Sequence, residues 1–147
     1  MNVENEMKLT FPSLSANESF ARSAAAAFAA GLDPTLDELE DIKTAVSEAV
    51  TNAIVHAYPD VVGQVQLRVR LLSGDVIEIQ VKDKGRGIED IAEARTPLFT
   101  TGGQDRSGMG FTIMESFMDA LRVTSHPGRG TTVTMRRRIY RRGRRGK

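Results

Sequence analysis

Hydrophobic and polar residues alternate along several short runs of the chain, which is the spacing of β-strands. Residues 8–11 form one such run, and a Ser73-Gly74 turn separates the runs 65–71 and 77–81. A further pair of runs, 121–125 and 132–135, flanks a Pro-Gly-Arg-Gly turn. This alternation predicts an N-terminal strand and, later in the chain, two hairpins.

Apolar residues at helical spacing predict three helices between these strands, at 15–31, 35–57 and 111–118. Ser15 and Thr35 each precede a glutamate by three residues, which is the pattern of a capping box. The first helix is predicted to bury the face that carries Phe20, Ala24, Ala27 and Phe28. The elements together predict an α+β fold: a two-layer sandwich whose mixed, mainly antiparallel sheet is covered on one face by helices.

Charge is distributed unevenly, because residues 136–147 hold eight cations and no acid. The rest of the chain has 12 cations against 19 acidic residues, a net charge of −7. No internal repeat or linker interrupts residues 1–138, so we expect a single domain there and a basic, disordered tail at 139–147. A basic tail can contact nucleic acid. Since Tyr140 is its only aromatic residue, we favour a solvated tail without direct nucleic-acid contact.

The composition excludes several classes of protein. Hydrophobic residues make up 40% of the chain and charged residues 27%, which is typical of a soluble globular protein. Cysteine is absent, which excludes disulfides and thiolate metal sites, and two histidines are too few for a histidine-rich site. No apolar run reaches the roughly 20 residues that cross a bilayer. The polar, acidic N-terminus is not a secretory signal. We therefore expect a cytoplasmic protein without a membrane partner.

Three polar residues, Glu48, Asn52 and His56, follow one another at four-residue spacing on the second predicted helix. This spacing places them in one row beside the apolar face, where they can line a cleft. A carboxylate, an amide and an imidazole together suit metal coordination or proton transfer. The alternative is that the row is simply the solvated side of an amphipathic helix.

Two glycine-rich segments follow. The first, DKGRGI at 83–88, comes directly after a predicted strand; its glycines allow a sharp turn, and Asp83 can accept a hydrogen bond from an exocyclic amine. The second, RSGMG at 106–110, precedes a predicted helix, where backbone amides and the helix dipole favour an anion such as phosphate. A glycine turn that only caps the helix remains the alternative for the second segment.

The order of these motifs resembles the GHKL ATPase superfamily: a helix with Glu-x-x-x-Asn, a strand ending in Asp-x-Gly-x-Gly, a loop ending in Gly-x-Gly, and Gly-Thr-Thr at 130–132. Within that group, SEAVTNAI at 47–54, PLFTT at 97–101, RSGMGFTIME at 106–115 and NESFAR at 17–22 are similar to the anti-sigma F factors of endospore-forming bacteria. The resemblance covers nearly the whole chain.

The resemblance implies a Bergerat ATP-binding fold and a role for each matching residue. Glu48 would be the general base toward a protein serine, and Asn52 would bind Mg²⁺ at the ATP phosphates. Asp83 would hold the adenine amine with Thr131 nearby, and residues 97–107 would form a lid over the phosphates. The full set of implied ATP contacts comprises Asn52, Asp83, Gly85, Gly87, Ile88, Thr100, Thr101, Arg106, Ser107, Gly108, Met109, Gly110 and Thr131. The lid departs from the family pattern, because Gly102 and Gly103 follow the paired threonines where relatives commonly carry a lysine.

The family's function would make this chain an ATP-dependent serine kinase that, as a homodimer, sequesters a sporulation sigma factor. Its substrate would be the anti-anti-sigma protein, and Arg22 would be a candidate partner contact. Two alternatives stay open. One is an anti-sigma kinase of a general-stress circuit, and the other is a binding module that holds ATP without turnover.

Overall fold

The computed structural model of the chain describes residues 1–95 and 107–140. Its elements, in chain order, are β1 (Val3–Pro12), α1 (Ala16–Ala29), a 3₁₀ turn (Ala30–Leu32), α2 (Leu36–Thr51), a π-helical segment (Asn52–Ala57), β2 (Gln64–Leu72), β3 (Val76–Asp83), α3 (Ile91–Arg95), α4 (Ser107–Phe117), β4 (Ala120–His126) and β5 (Gly130–Arg138).

The five strands form one sheet in the order β1-β2-β3-β5-β4. Alternation along β2 turns Val65, Leu67 and Val69 toward the helices, where they are buried, and leaves polar residues on the opposite face. Every strand pair among the described residues is antiparallel. The predicted α+β sandwich is confirmed. Within the described ranges, no helix is long and apolar enough to cross a membrane.

The first helix differs from its prediction in two ways. Its buried residues are Ala21, Ala25 and Ala29, whereas Phe20 is 58% exposed, so the predicted face is rotated by one position. The three alanines let α1 pack closely on α2, which a phenylalanine there would prevent. Ser15 has helical backbone angles and makes no side-chain cap bond, so the capping box predicted there is wrong.

The capping box predicted at Thr35 is confirmed. Its hydroxyl accepts from the Glu38 amide at 3.1 Å, and Glu38 Oε1 accepts from the Thr35 amide at 2.9 Å. The other Glu38 oxygen, Oε2, accepts from the backbone amide of Tyr140 at 2.8 Å. Burial raises the pKa of Glu38, but these hydrogen bonds and the charge of Arg137 outweigh it and leave the pKa below its ordinary value.

The folded part of the chain extends past the predicted boundary at residue 138. Ile139 is 1% exposed within the core, and its amide donates to the Asp75 carbonyl at 2.8 Å. The predicted boundary is too early because Ile139, which continues the core, directly follows a run of arginines in the sequence. The remaining residues of the predicted tail, 141–147, lie outside the described residues.

Ile139→Ala is expected to lower the free energy of unfolding by about 2–4 kcal/mol, because it removes a buried side chain and leaves a cavity. Denaturant titration followed by circular dichroism measures the change. Tyr140→Ala is the matched control: that ring is 62% exposed, and its loss should cost less than about 0.5 kcal/mol. Equal effects of the two substitutions would contradict a core role for Ile139.

Candidate active site

The C-terminal end of α2 brings Glu48 and Asn52 together beneath the start of α4. A β-carbon built on Gly110 would lie 3.2 Å from Asn52 Oδ1 and 3.3 Å from Glu48 Oε1. The carboxylate and the amide therefore approach the same point, at the first turn of a helix that begins at Ser107. A side chain at position 110 would crowd both groups, so glycine leaves a small gap between a carboxylate, an amide and a helix N-terminus.

His56 lies in a segment whose helical geometry differs from that of the turn between Glu48 and Asn52. The helix changes at Asn52 from α-helical to π-helical geometry, which lasts to Ala57. A π-helix closes its hydrogen bonds at five residues instead of four, so the α-helical spacing assumed for His56 does not apply in this segment. Such π-helical segments occur frequently at functional sites.

Asp83 ends strand β3 as a buried carboxylate, 7% exposed. Its Oδ1 accepts from the Gly85 amide at 2.9 Å and from the Thr131 amide at 3.2 Å. Burial raises the pKa of Asp83 above its ordinary value, and the two amide hydrogen bonds offset part of that rise. With Oδ1 engaged twice, Oδ2 is the oxygen left to accept a hydrogen bond from a ligand.

Two glycines hold the loop after Asp83 against its neighbours. A side chain at Gly85 would overlap the carbonyl of Ala57, and one at Gly87 would overlap the carbonyl of His126. Gly87 also has φ +78°, which disfavours any residue with a β-carbon. The Arg86 amide donates to the Ala57 carbonyl at 3.0 Å. The loop therefore docks on the end of the same helical element that carries Glu48 and Asn52.

Tyr58 is a residue of this site that sequence reasoning missed. Its hydroxyl donates to the Gln64 carbonyl at 2.8 Å and accepts from the Lys84 amide at 2.7 Å. It thus ties the end of the helix to the start of β2 and to the Asp83 loop. A tyrosine directly after a helix carries no sequence signal for such a bridge, because both partners are backbone groups from other elements.

Tyr58→Phe is expected to lower the free energy of unfolding by about 1–3 kcal/mol, because two backbone groups lose their hydrogen-bond partner. We also expect nucleotide affinity to fall several-fold, since the Asp83 loop loses one of its anchors. Calorimetric titration with ATP measures the affinity, and the exposed Tyr140→Phe serves as the control. Unchanged affinity in Tyr58→Phe would show that the loop is held without this bridge.

The remaining predicted residues are distributed as follows. Ile88 is half-buried, and its amide donates to Ser125 Oγ at 2.8 Å, while Thr131 is buried beside Asp83. Met109 lies in α4 with its side chain 53% exposed, and Ser107, Gly108 and Gly110 belong to the same helix. Thr100, Thr101, Arg106 and the rest of the predicted lid before Ser107 lie outside the described residues. Arg22 is on α1.

Asn52 brings one amide group to the candidate Mg²⁺ site. Asn52 Nδ2 is buried and finds no hydrogen-bond partner among the described residues. No group of three or more carboxylates and histidines able to hold a metal occurs in the described ranges. Mg²⁺ is commonly held by one or two protein ligands together with substrate phosphates and water. The amide oxygen of Asn52 can supply one such ligand, and its unpartnered Nδ2 can donate to a phosphate oxygen of the same shared site.

One family model and several known proteins match this chain over nearly its whole length. The family model described as "Histidine kinase-like ATPase domain" matches residues 11–137. The chain is 55% identical over 140 residues to an anti-sigma F factor of Thermoanaerobacter sp. (strain X514), covering 95% of this chain and 97% of the relative. The anti-sigma F factor of Bacillus subtilis (strain 168) is 52% identical over 139 residues, with 93% and 94% covered.

Solved structures share the fold. The RsbU and RsbW domains of a Mycobacterium tuberculosis protein align with a TM-score of 0.68 at 22% identity, covering 92% of this chain and 32% of that one. The histidine kinase domain of a blue-light activated kinase from Erythrobacter litoralis aligns with a TM-score of 0.58 at 25% identity, with 83% and 60% covered. With identities above 50% along almost its whole length and an ATPase-domain match from residue 11 to 137, this chain belongs to the anti-sigma F factor family.

Proposed function

We propose that the chain is an ATP-dependent serine kinase and anti-sigma factor, which sequesters a sporulation sigma factor and phosphorylates the anti-anti-sigma protein. Its relatives are named anti-sigma F factors, and it carries a histidine kinase-like ATPase domain. The observation that carries the kinase activity is the convergence of Glu48 Oε1 and the Asn52 amide on one gap at the start of α4. A module that only binds ATP has no need of a base there.

The proposed reaction transfers one proton and one phosphoryl group. Glu48 takes the proton of the substrate serine hydroxyl, the serine Oγ forms a bond to the γ-phosphorus, and the bond from that phosphorus to the bridging oxygen of ADP breaks. ADP leaves with the electron pair of that bond. Most of the catalysis in such a transfer comes from positioning and charge stabilisation, which a rigid helix end can supply.

The chain's own residues hold the nucleotide at both ends. Asp83 Oδ2 would accept a hydrogen bond from the adenine amine, and the backbone amides in the N-terminal turn of α4 would face the phosphates. Asn52 Oδ1 would ligate Mg²⁺, which would neutralise charge on the phosphates. Asn52 Nδ2, which lacks a described protein partner, is then free to donate to a phosphate oxygen.

Arg22 is the proposed contact to the protein partners. Its side chain is 37% exposed and lies 3.6 Å from Glu18 Oε2, one turn earlier on α1. Glu18 lines a surface pocket of about 140 Å³ together with Ser15, Thr51, Ile54 and Val55. An ion pair beside a partly apolar pocket can bind a complementary surface of a partner protein. Thr51, which lines this pocket, directly precedes Asn52 in the sequence.

Homodimerisation stays a prediction. Among the described residues β1 pairs only with β2, which leaves a ten-residue edge that a second copy could cover. Light scattering after size exclusion would measure the mass in solution, and a mass near 16.1 kDa would contradict the dimer.

The test is transfer of radiolabelled γ-phosphate from Mg-ATP to an anti-anti-sigma protein, with phosphoamino-acid analysis of the product. Label on serine supports the kinase, and capture of the sporulation sigma factor by the same preparation supports sequestration. ATP binding without transfer would instead identify the ATP-gated binding module. Capture of a general-stress sigma factor in place of the sporulation one would identify the other circuit.

A further inference from the structure

Ser125 joins two of the candidate nucleotide contacts through a single hydroxyl group. It lies on β4, and its Oγ is 2.8 Å from the Ile88 amide, 3.1 Å from the Gly130 carbonyl oxygen and 2.7 Å from Thr131 Oγ1. Neither the spacing of its neighbours nor any motif singles out this serine in the sequence. One of the three contacts comes from the loop after β3, and the other two come from the start of β5.

The single proton of the Ser125 hydroxyl determines which group donates in each of these hydrogen bonds. A hydroxyl has one proton to donate and two lone pairs to accept with. The Ile88 amide donates into one lone pair, and the Gly130 carbonyl, which can only accept, takes the serine proton. The 2.7 Å contact then requires the Thr131 hydroxyl to donate to the second lone pair. Thr131 Oγ1 has therefore used its only proton and presents lone pairs to any further group.

The backbone of Thr131 is fixed in the same region. Its amide donates to Asp83 Oδ1, which the Gly85 amide also occupies, and this leaves Oδ2 to accept from a ligand. The base end of the site thus offers two acceptors, Asp83 Oδ2 and Thr131 Oγ1. An exocyclic amine has two protons and can donate one to each of these acceptors. A carbonyl oxygen in the same place can only accept, so it can form neither hydrogen bond.

We propose that Ser125 is a positioning residue that keeps the Thr131 hydroxyl an acceptor and holds the Ile88 amide, and thereby sets the preference of the site for a 6-amino over a 6-oxo purine. The inference rests on the proposed function, in which ATP binds with its base at Asp83. It goes beyond that function by giving base selectivity to a residue that need not touch the nucleotide.

The experiment compares ATP with inosine triphosphate, which carries oxygen in place of the 6-amino group, by calorimetric titration of the full chain with Mg²⁺. In Ser125→Ala the ATP dissociation constant is expected to rise about 10-fold, because three part-buried groups lose their shared hydrogen-bond partner. Inosine triphosphate should lose less affinity, since the freed Thr131 hydroxyl can rotate and donate to the 6-oxo group. The dissociation constant for inosine triphosphate divided by that for ATP should therefore fall at least about 3-fold.

Ser125→Thr keeps the hydroxyl and should restore the wild-type ratio. Thr124→Ala is the matched control, because Thr124 is the exposed neighbour on the same strand and its side chain points to the other face. If Ser125→Ala does not fold, Ser125→Cys offers similar volume with a weak hydrogen-bonding group. Equal loss of affinity for both nucleotides, or no loss for either, would overturn the role of Ser125. Failure of the wild type to bind ATP would instead overturn the proposed function, and the inference with it.

Discussion

Glu48→Gln is expected to slow phosphoryl transfer to the substrate serine by about 10²–10⁴-fold, the usual contribution of a general base. The substitution keeps the size and the hydrogen-bonding shape of the side chain and removes only its ability to take a proton. Since Glu48 Oε1 shares its gap with Asn52 and Gly110, an isosteric amide should disturb neither neighbour. ATP affinity should therefore remain within about two-fold of the wild type.

Radiolabel transfer under single-turnover conditions measures the rate, and calorimetric titration measures ATP affinity in the same preparations. Glu40→Gln is the matched control, because it removes an exposed carboxylate from the same helix, where Glu40 pairs with Lys43 at 3.1 Å. Phosphoryl transfer at the wild-type rate in Glu48→Gln would contradict the proposed role of Glu48 as the general base. Loss of ATP binding along with transfer would assign Glu48 to the nucleotide pocket instead.

Asn52→Ala is expected to lower ATP affinity in the presence of Mg²⁺ by about 10- to 100-fold, the loss that even an outer partner of a metal ligand causes. The same titration in EDTA should show a much smaller change, because the proposed role of Asn52 is toward the metal. Asn5→Ala, which removes an exposed amide far from the site, should leave both affinities unchanged. Equal losses with and without Mg²⁺ would contradict the ligand role.

Stability gives a second readout for Asn52. Its Nδ2 is buried without a hydrogen-bond partner among the described residues, and such a group costs folding free energy. Removing it should leave the nucleotide-free protein at least as stable as the wild type, even though nucleotide binding is weakened. A melting temperature that drops by several degrees without nucleotide would mean that Asn52 holds the helix end together.

Local pattern was enough to predict much of this fold and part of its site. The alternation in β2 and β3 and the capping box at Thr35 depend on residues that are close in sequence, so their periodicity shows directly which face is buried. The four-residue spacing of Glu48 and Asn52 and the position of Asp83 at a strand end are local in the same sense. Resemblance to a family then supplied the roles that spacing alone leaves open.

The face of α1 shows where local pattern is insufficient. Its sequence is rich in alanine, so small and large apolar residues surround the helix axis and several faces have similar hydrophobicity. The packing distance to α2 selected the alanine face and left Phe20 exposed. The boundary at 138 has a related cause, because the burial of Ile139 depends on the core it enters and not on the arginines around it.

By itself the sequence determined the sandwich, the placement of the glycine-rich loops and the residue types available for chemistry, because each follows from short-range spacing and backbone freedom. Tertiary structure alone decided which distant groups meet: Gly110 over Glu48 and Asn52, Tyr58 between Gln64 and Lys84, and Ser125 beneath Thr131 and Ile88. These pairings join residues from separate elements through single hydrogen bonds or the absence of a side chain. Such contacts leave no periodic trace in the chain, since they arise only when the sheet brings its strand ends beside the end of α2.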